Sequence, residues 1–167
     1  DLDFNLTATK EKHLPGKNTA STKTKDGVVK ADLILEELSV GLDLAKVLKI
    51  NPIYFDYDKF FIRPDAAIEL DKIVAVMNEY PTMEIELGSH TDCRGSKKYN
   101  FNLSDKRAKA SAEYIRKRIA NPTRIYGKGY GESKLVNTCA CEAPKKSTCS
   151  EDEHQQNRRT EFVIIKM

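Results

Sequence analysis

After Ile50 the chain switches repeatedly between two hydrophobic periods, and that ordered switching restricts its fold more than any other feature. Ile53-Tyr54-Phe55 reads as a short buried strand. Pro64 fits the first turn of a helix, where a missing N–H costs nothing, and Asp65 and Glu69 suit the positive end of that helix. Leu70, Ile73, Val74 and Met77 recur at helical spacing, which predicts an amphipathic helix over 64–79 that Pro81 ends. Met83, Ile85 and Leu87 then alternate with Glu84 and Glu86, the period of a strand, and deliver the chain to a Ser89–Gly95 loop. A second helix is predicted over 96–119. Its stripe of Ala108, Ser111, Ala112, Ile115 and Ile119 is narrow enough to allow close approach to a sheet. A third strand spans Arg124 to Tyr130 and ends in Gly127-Lys128-Gly129-Tyr130-Gly131. A polar, cysteine-bearing excursion covers 133–156, and a last strand spans Thr160 to Ile165. The order βαβαββ predicts an α+β sandwich with its helices packed on one mixed sheet.

Residues 1–49 follow a different pattern. Leu2, Phe4, Leu6 and Ala8 alternate with polar residues as a half-buried strand does. Pro15-Gly16 and the Lys/Thr/Ser-rich run to Lys25 read as a loop, Val28 to Leu35 as a second strand, and Leu38, Val40, Leu42 and Leu44 as a further alternation. This is too little chain for an independent core. Two expectations stay open for it: a β-rich extension of the domain at 50–167, or the end of an upstream domain.

The chain has 167 residues, of which 32% are charged, with a formal charge of +3. That excess is small and interspersed, as in Asp105-Lys106-Arg107, so no basic stripe for nucleic acid emerges. No apolar run reaches the roughly 18–20 residues that a spanning helix needs. No signal peptide opens the chain, and a mature or excised fragment would look like this. Ser89, His90 and Asp92 are triad residue types but lie within four consecutive positions, whereas a triad converges through the fold. Gly127, Gly129 and Gly131 lack dinucleotide-loop spacing. His90 reads as a loop hydrogen-bonding residue, and neither catalysis nor a cofactor is expected.

Cys93, Cys139, Cys141 and Cys149 form an even set with three members crowded in a polar segment, which favours disulfides in an oxidising compartment. Cys139 and Cys141 are too close to pair with each other. Cys139–Cys149 with Cys93–Cys141 is preferred, because it makes a short staple and ties the excursion to the Asp92 loop; Cys93–Cys139 with Cys141–Cys149 is the alternative. A zinc site of Cys139, Cys141, Cys149 and His154 is the rival, although its Cys-x-Cys spacing is tight.

The segment Gly88 to Tyr114 carries the functional signal. Asp92 lies in a glycine-containing loop, and Arg107 follows fifteen positions later on the second helix. A carboxylate and a guanidinium on one wall form a two-point receptor for a zwitterion: the carboxylate takes an ammonium, and the planar fork takes a carboxylate. Asn100 and Arg107 lie two turns apart on nearly one face, with Leu103 between them. Backbone N–H groups of Arg94 to Lys97 add donors near the helix start. Asp56 and Asp58 leave the first strand toward the same end. Arg158 and Arg159 precede the last strand, where adjacent residues face opposite ways, so one of the two reaches the pocket. The competing explanation is a protein-interaction module in which an Asp92–Arg107 salt bridge only fixes the loop.

These residues resemble the OmpA C-terminal-like family of peptidoglycan-binding domains. The matching pieces are Tyr54-Phe55-Asp56-Tyr57-Asp58, Ile62-Arg63-Pro64-Asp65-Ala66, Gly88-Ser89-His90-Thr91-Asp92 with Arg94-Gly95-Ser96, Tyr99-Asn100, Leu103-Ser104 with Arg107-Ala108, Gly129-Tyr130-Gly131-Glu132, and Asn157-Arg158-Arg159-Thr160-Glu161-Phe162. They occur in order over residues 50–167. The resemblance implies a non-enzymatic domain that binds the peptidoglycan stem peptide through meso-diaminopimelate, Asp92 holding its amine and Arg107 its carboxylate. Asn100, Asp58, Asp56, Thr91, Gly95, Leu103 and Arg158 or Arg159 complete the implied site. Cys93 within the binding loop and the cysteine-rich excursion depart from the commonest members and resemble the family's Bacteroidetes proteins. Some of those anchor the type IX secretion machinery to the wall. The implied setting is the periplasm, as part of an outer-membrane lipoprotein or multidomain anchor.

Overall fold

The computed structural model describes residues 2–23, 28–56, 59–141 and 147–167. The chain forms two compact units, Asp1–Ser39 and Val40–Met167.

In the first unit, strand β1 (Asp3–Ala8) pairs antiparallel with β2 (Gly16–Ser21), with Asp3 opposite Ser21 and Ala8 opposite Gly16. β1 is the strand that its alternation predicts. β2 falls where the sequence reads as a loop. Its residues Lys17, Asn18 and Thr19 are all exposed, so it is held by backbone pairing and leaves no hydrophobic period to detect. The predicted strand at Val28–Leu35 is not formed; Asn18 Nδ2 donates to Asp32 O from β2 instead.

The second unit opens at the sheet edge. Gly41 N donates to Ile164 O, and Ile164 N donates to Leu42 O. Asp43 then takes two roles: its Oδ1 caps helix α1 (Leu44–Val47) through Ala45 N at 3.0 Å and accepts from Phe162 N at 2.9 Å. Residues 40–49, read from sequence as part of the extension, thus join the unit that carries the sheet.

Helix α2 (Pro64–Glu79) has Pro64 in its first turn and buries Leu70, Ile73 and Met77, as the periodicity predicts. The buried Arg124 guanidinium satisfies one carbonyl of the helix's last turn, Met77 O at 3.0 Å, and two beyond its end, Tyr80 O at 3.2 Å and Met83 O at 2.9 Å. Strand β3 (Glu84–His90) continues three residues beyond Leu87, the last of its hydrophobic alternation, and two into the predicted loop. Helix α3 (Lys97–Arg116) begins behind a Ser96 cap that accepts from Tyr99 N. A 3₁₀ turn at Pro122–Arg124 leads into β4 (Ile125–Gly131). Helix α4 (Glu151–Asn157) and strand β5 (Thr160–Lys166) finish the chain.

The sheet order is β4-β3-β5, with β3 parallel to β4 and antiparallel to β5. Ile85 opposes Ile125 and Ile164, and Leu87 opposes Gly127 and Phe162, so these side chains share one face. All of the large ones are fully buried, together with Leu70, Ile73, Met77 and Ile115 of the helices. The predicted strand at Ile53–Phe55 is absent. The outer edge of β5 is occupied by Gly41 and Leu42.

Cys93 is bonded to Cys141 and Cys139 to Cys149, with Cα separations of 5.3 and 5.8 Å. This is the preferred pairing, and it engages the sulfurs that the rival zinc site would require.

Candidate functional site

The parallel strands β3 and β4 end at the same edge of the sheet, where β5 begins, and the charged groups of interest collect there. His90 closes β3, and its backbone N donates to Arg159 O at 2.9 Å, which fixes the Arg158-Arg159 pair beside the strand end. Arg107 approaches from α3, and Gln155 from α4. With Ile53, Tyr54, Phe55, Ser89, His90, Arg158, Arg159 and Thr160 they line a cavity of about 320 Å³.

Arg107 Nε donates to Lys59 O at 3.1 Å and Nη2 to Asp56 O at 3.4 Å, while its guanidinium lies 4.9 Å from the Phe55 ring centre. These contacts hold the guanidinium over an aromatic ring at the cavity wall, and a guanidinium can grip a carboxylate in bidentate fashion. Arg159 Nε is paired with Glu161 at 2.8 Å, and its Nη1 donates to Lys134 O. The ring of His90 stacks on Tyr130 with centroids 5.0 Å apart, and its Nε2 lies 3.3 Å from Glu161 Oε2. Burial, reinforced by the neighbouring Arg159 charge and only partly opposed by Glu161, pulls the His90 pKa down to about 4.

Asp92 is buried behind this cavity and is spoken for by its own chain. Its Oδ1 accepts from Arg94 N at 2.9 Å. Its Oδ2 accepts from Arg94 Nη2 at 2.7 Å, Arg94 Nε at 3.1 Å and Arg158 Nη1 at 2.6 Å. Burial raises its pKa, but the two guanidiniums and the backbone donor more than offset this and hold it below the usual carboxylate value. Arg94 and Arg158 also both bond Glu151, so the four side chains form a closed cluster of alternating charge.

Of the residues singled out from sequence, Arg107, Arg158 and Arg159 line the cavity, and Asp92 reaches it through Arg158. Asn100 is fully buried and positions the loop: its Nδ2 donates to Asp92 O at 3.2 Å and to Glu132 Oε2. Gly95 has φ +116, and a Cβ there would lie 3.0 Å from Asn100 Oδ1, so the turn beside Asp92 requires glycine. Thr91 is buried and donates its N–H to Gly131 O, and Leu103 is half-buried on α3 one turn before Arg107. The Asp56 carboxylate pairs with Arg63 at 3.0 Å, and its carbonyl serves Arg107. Asp58 lies outside the described residues. His90 belongs to a strand end rather than to a loop.

The sequence reading did not single out Glu151, Gln155 or the Arg94 side chain. A signal existed for Glu151 and Gln155: Ser150-x-x-Glu153 is a capping box, and the structure shows both halves of it at the start of α4.

A three-stranded mixed sheet backed by helices, with an arginine-lined cavity at its strand ends, defines a small α+β binding module. A profile of the OmpA family matches residues 54–148, and the chain belongs to that family. It is 32% identical over 112 residues to the peptidoglycan-associated lipoprotein of Brucella melitensis, covering 67% of this chain and 61% of that protein. It is 38% identical over 112 residues to a Gloeobacter violaceus protein named photosystem I P700 chlorophyll a apoprotein A2, covering 67% of this chain but 12% of that one. The chain thus spans less than two thirds of either relative. The crystal structure of the peptidoglycan-associated lipoprotein from Burkholderia pseudomallei superposes with a TM-score of 0.57 at 24% identity, over 70% of this chain and 92% of that one.

Proposed function

We propose that the domain binds the peptidoglycan stem peptide without chemical change, through its meso-diaminopimelate, and so tethers an outer-membrane protein or complex to the cell wall from the periplasm. The observation that carries this reading is Arg107, its guanidinium 4.9 Å from the Phe55 ring centre at the wall of an open cavity in an OmpA-family fold. A guanidinium so placed matches the side-chain carboxylate that distinguishes diaminopimelate from lysine. Asp92, one residue pair away through Arg158, is the partner for the ligand's ammonium. Relatives whose own names associate them with peptidoglycan support the same assignment. The cysteine pattern favours the type IX secretion machinery as the tethered complex.

Calorimetric titration of a diaminopimelate-containing stem peptide tests the reading. Arg107→Ala is expected to lower affinity by about 2–5 kcal/mol, and a lysine-containing peptide is expected to bind sharply more weakly than its diaminopimelate counterpart. The competing reading is a protein-interaction module whose charges are structural, and it draws on the closed Asp92–Arg94–Arg158 cluster. Unchanged binding in Arg107→Ala, or equal affinity for both peptides, would refute the role assigned to Arg107, and absence of peptide binding by the parent chain would decide for the alternative.

A further inference from the structure

We infer that the Arg94 side chain is an internal substitute for the ligand's ammonium at Asp92, and that Glu151 is the acceptor that keeps Arg94 when ligand enters. The inference rests on the function proposed above and identifies what sets affinity at that site. Asp92 Oδ2 is the oxygen that both guanidiniums hold, whereas Oδ1 is held by the backbone N–H of Arg94. Departure of the Arg94 side chain would therefore free one acceptor position and leave the carboxylate oriented.

Arg94 is the guanidinium able to leave. Its side chain is 48% exposed, against 27% for Arg158, and Arg158 is further fixed by Gln155, which accepts from its Nε at 3.0 Å. Arg94 already has a second anchor. Its Nη1 lies 2.7 Å from Glu151 Oε2 and its Nη2 3.3 Å from Glu151 Oε1, on a carboxylate that is itself 64% exposed. The exchange thus swaps a guanidinium for an ammonium at Asp92 without stranding either charge. The population of Asp92 free of Arg94 scales the apparent affinity directly.

The test is titration of the diaminopimelate peptide against the intact chain and four variants. Arg94→Ala and Arg94→Gln, the second retaining an uncharged stem in case the first fails to fold, are expected to bind roughly three- to tenfold tighter than the parent. Glu151→Gln is expected to bind more weakly by a similar factor, and that loss is expected to shrink in an Arg94→Ala/Glu151→Gln double variant. A parent chain that binds the peptide, with Arg94 variants that bind equally or more weakly, overturns the inference and leaves the proposed function standing. A Glu151 effect of full size in the double variant also overturns it. Absence of binding by the parent chain overturns the proposed function and this inference together.

Discussion

Gly129 of β4 and Asp105 of α3 meet through bare backbone: a Cβ on Gly129 would lie 2.3 Å from Asp105 N and 2.5 Å from its Cα. Gly127 stands in the same relation to Ala108, one helical turn away. The helix that carries Arg107 therefore owes its depth on the sheet to two missing side chains.

Replacing Gly129 by alanine forces the helix outward, because the obstructing atoms belong to the main chain. Gly129→Ala is expected to cost about 1–3 kcal/mol, read as a lowered urea midpoint. It is also expected to weaken stem-peptide binding, since Arg107 lies two residues beyond Asp105. Unaltered stability would show that α3 is not seated by this contact.

His90 predicts a pH response. Its pKa falls from 6.5 to about 4 on folding, so between those values the unfolded chain binds the proton that the folded chain refuses. Stability is fully present above pH 6.5 and is lost as pH falls toward 4, with a slope approaching about 1.4 kcal/mol per pH unit. Denaturant titrations from pH 7 to 4 are expected to show this slope in the parent and a flatter profile in His90→Gln. Equal slopes in the two would remove His90 as the source.

The Cys93–Cys141 bond joins residues 48 apart and fastens the segment next to Asp92 to the excursion. Chain-entropy arguments give a stabilisation of about 4 kcal/mol for a loop of this size, the upper end of the usual range for a disulfide. The Cys93→Ala/Cys141→Ala variant is expected to lose that much in a denaturation experiment. It is also expected to bind the peptide more weakly, because the loop must then be ordered at the moment of binding. Full retention of both properties would make the bond dispensable to the site.

The hydrophobic code was most legible where one face is buried. α2, β4 and β5 lie within a residue or two of their predicted bounds, because Leu70, Ile73, Met77, Ile125, Phe162 and Ile164 face a single core. β2 and α4 were illegible by the same logic. Their residues are polar on nearly every side, and they are held by backbone pairing and by a capping box. Ile53–Phe55 misled in the opposite direction: its apolar residues line a cavity instead of pairing in a sheet, and Tyr54 remains 48% exposed. Charges were harder still. Spacing led to the expectation that Asp92 and Arg107 share one wall, but gave no sign that Arg94 and Arg158 would reach Asp92. Arg158 lies 66 residues away, and only the closed fold sets that distance.

The short clasp at Gly41–Asp43 has a practical consequence. It shields the outer rim of β5 by bonding Ile164 on both its N–H and C=O and by occupying the N–H of Phe162. A chain that starts at Tyr54, where the family match begins, and keeps β5 would lay that rim bare. Such a fragment would become adhesive toward any extended segment, its own copies included.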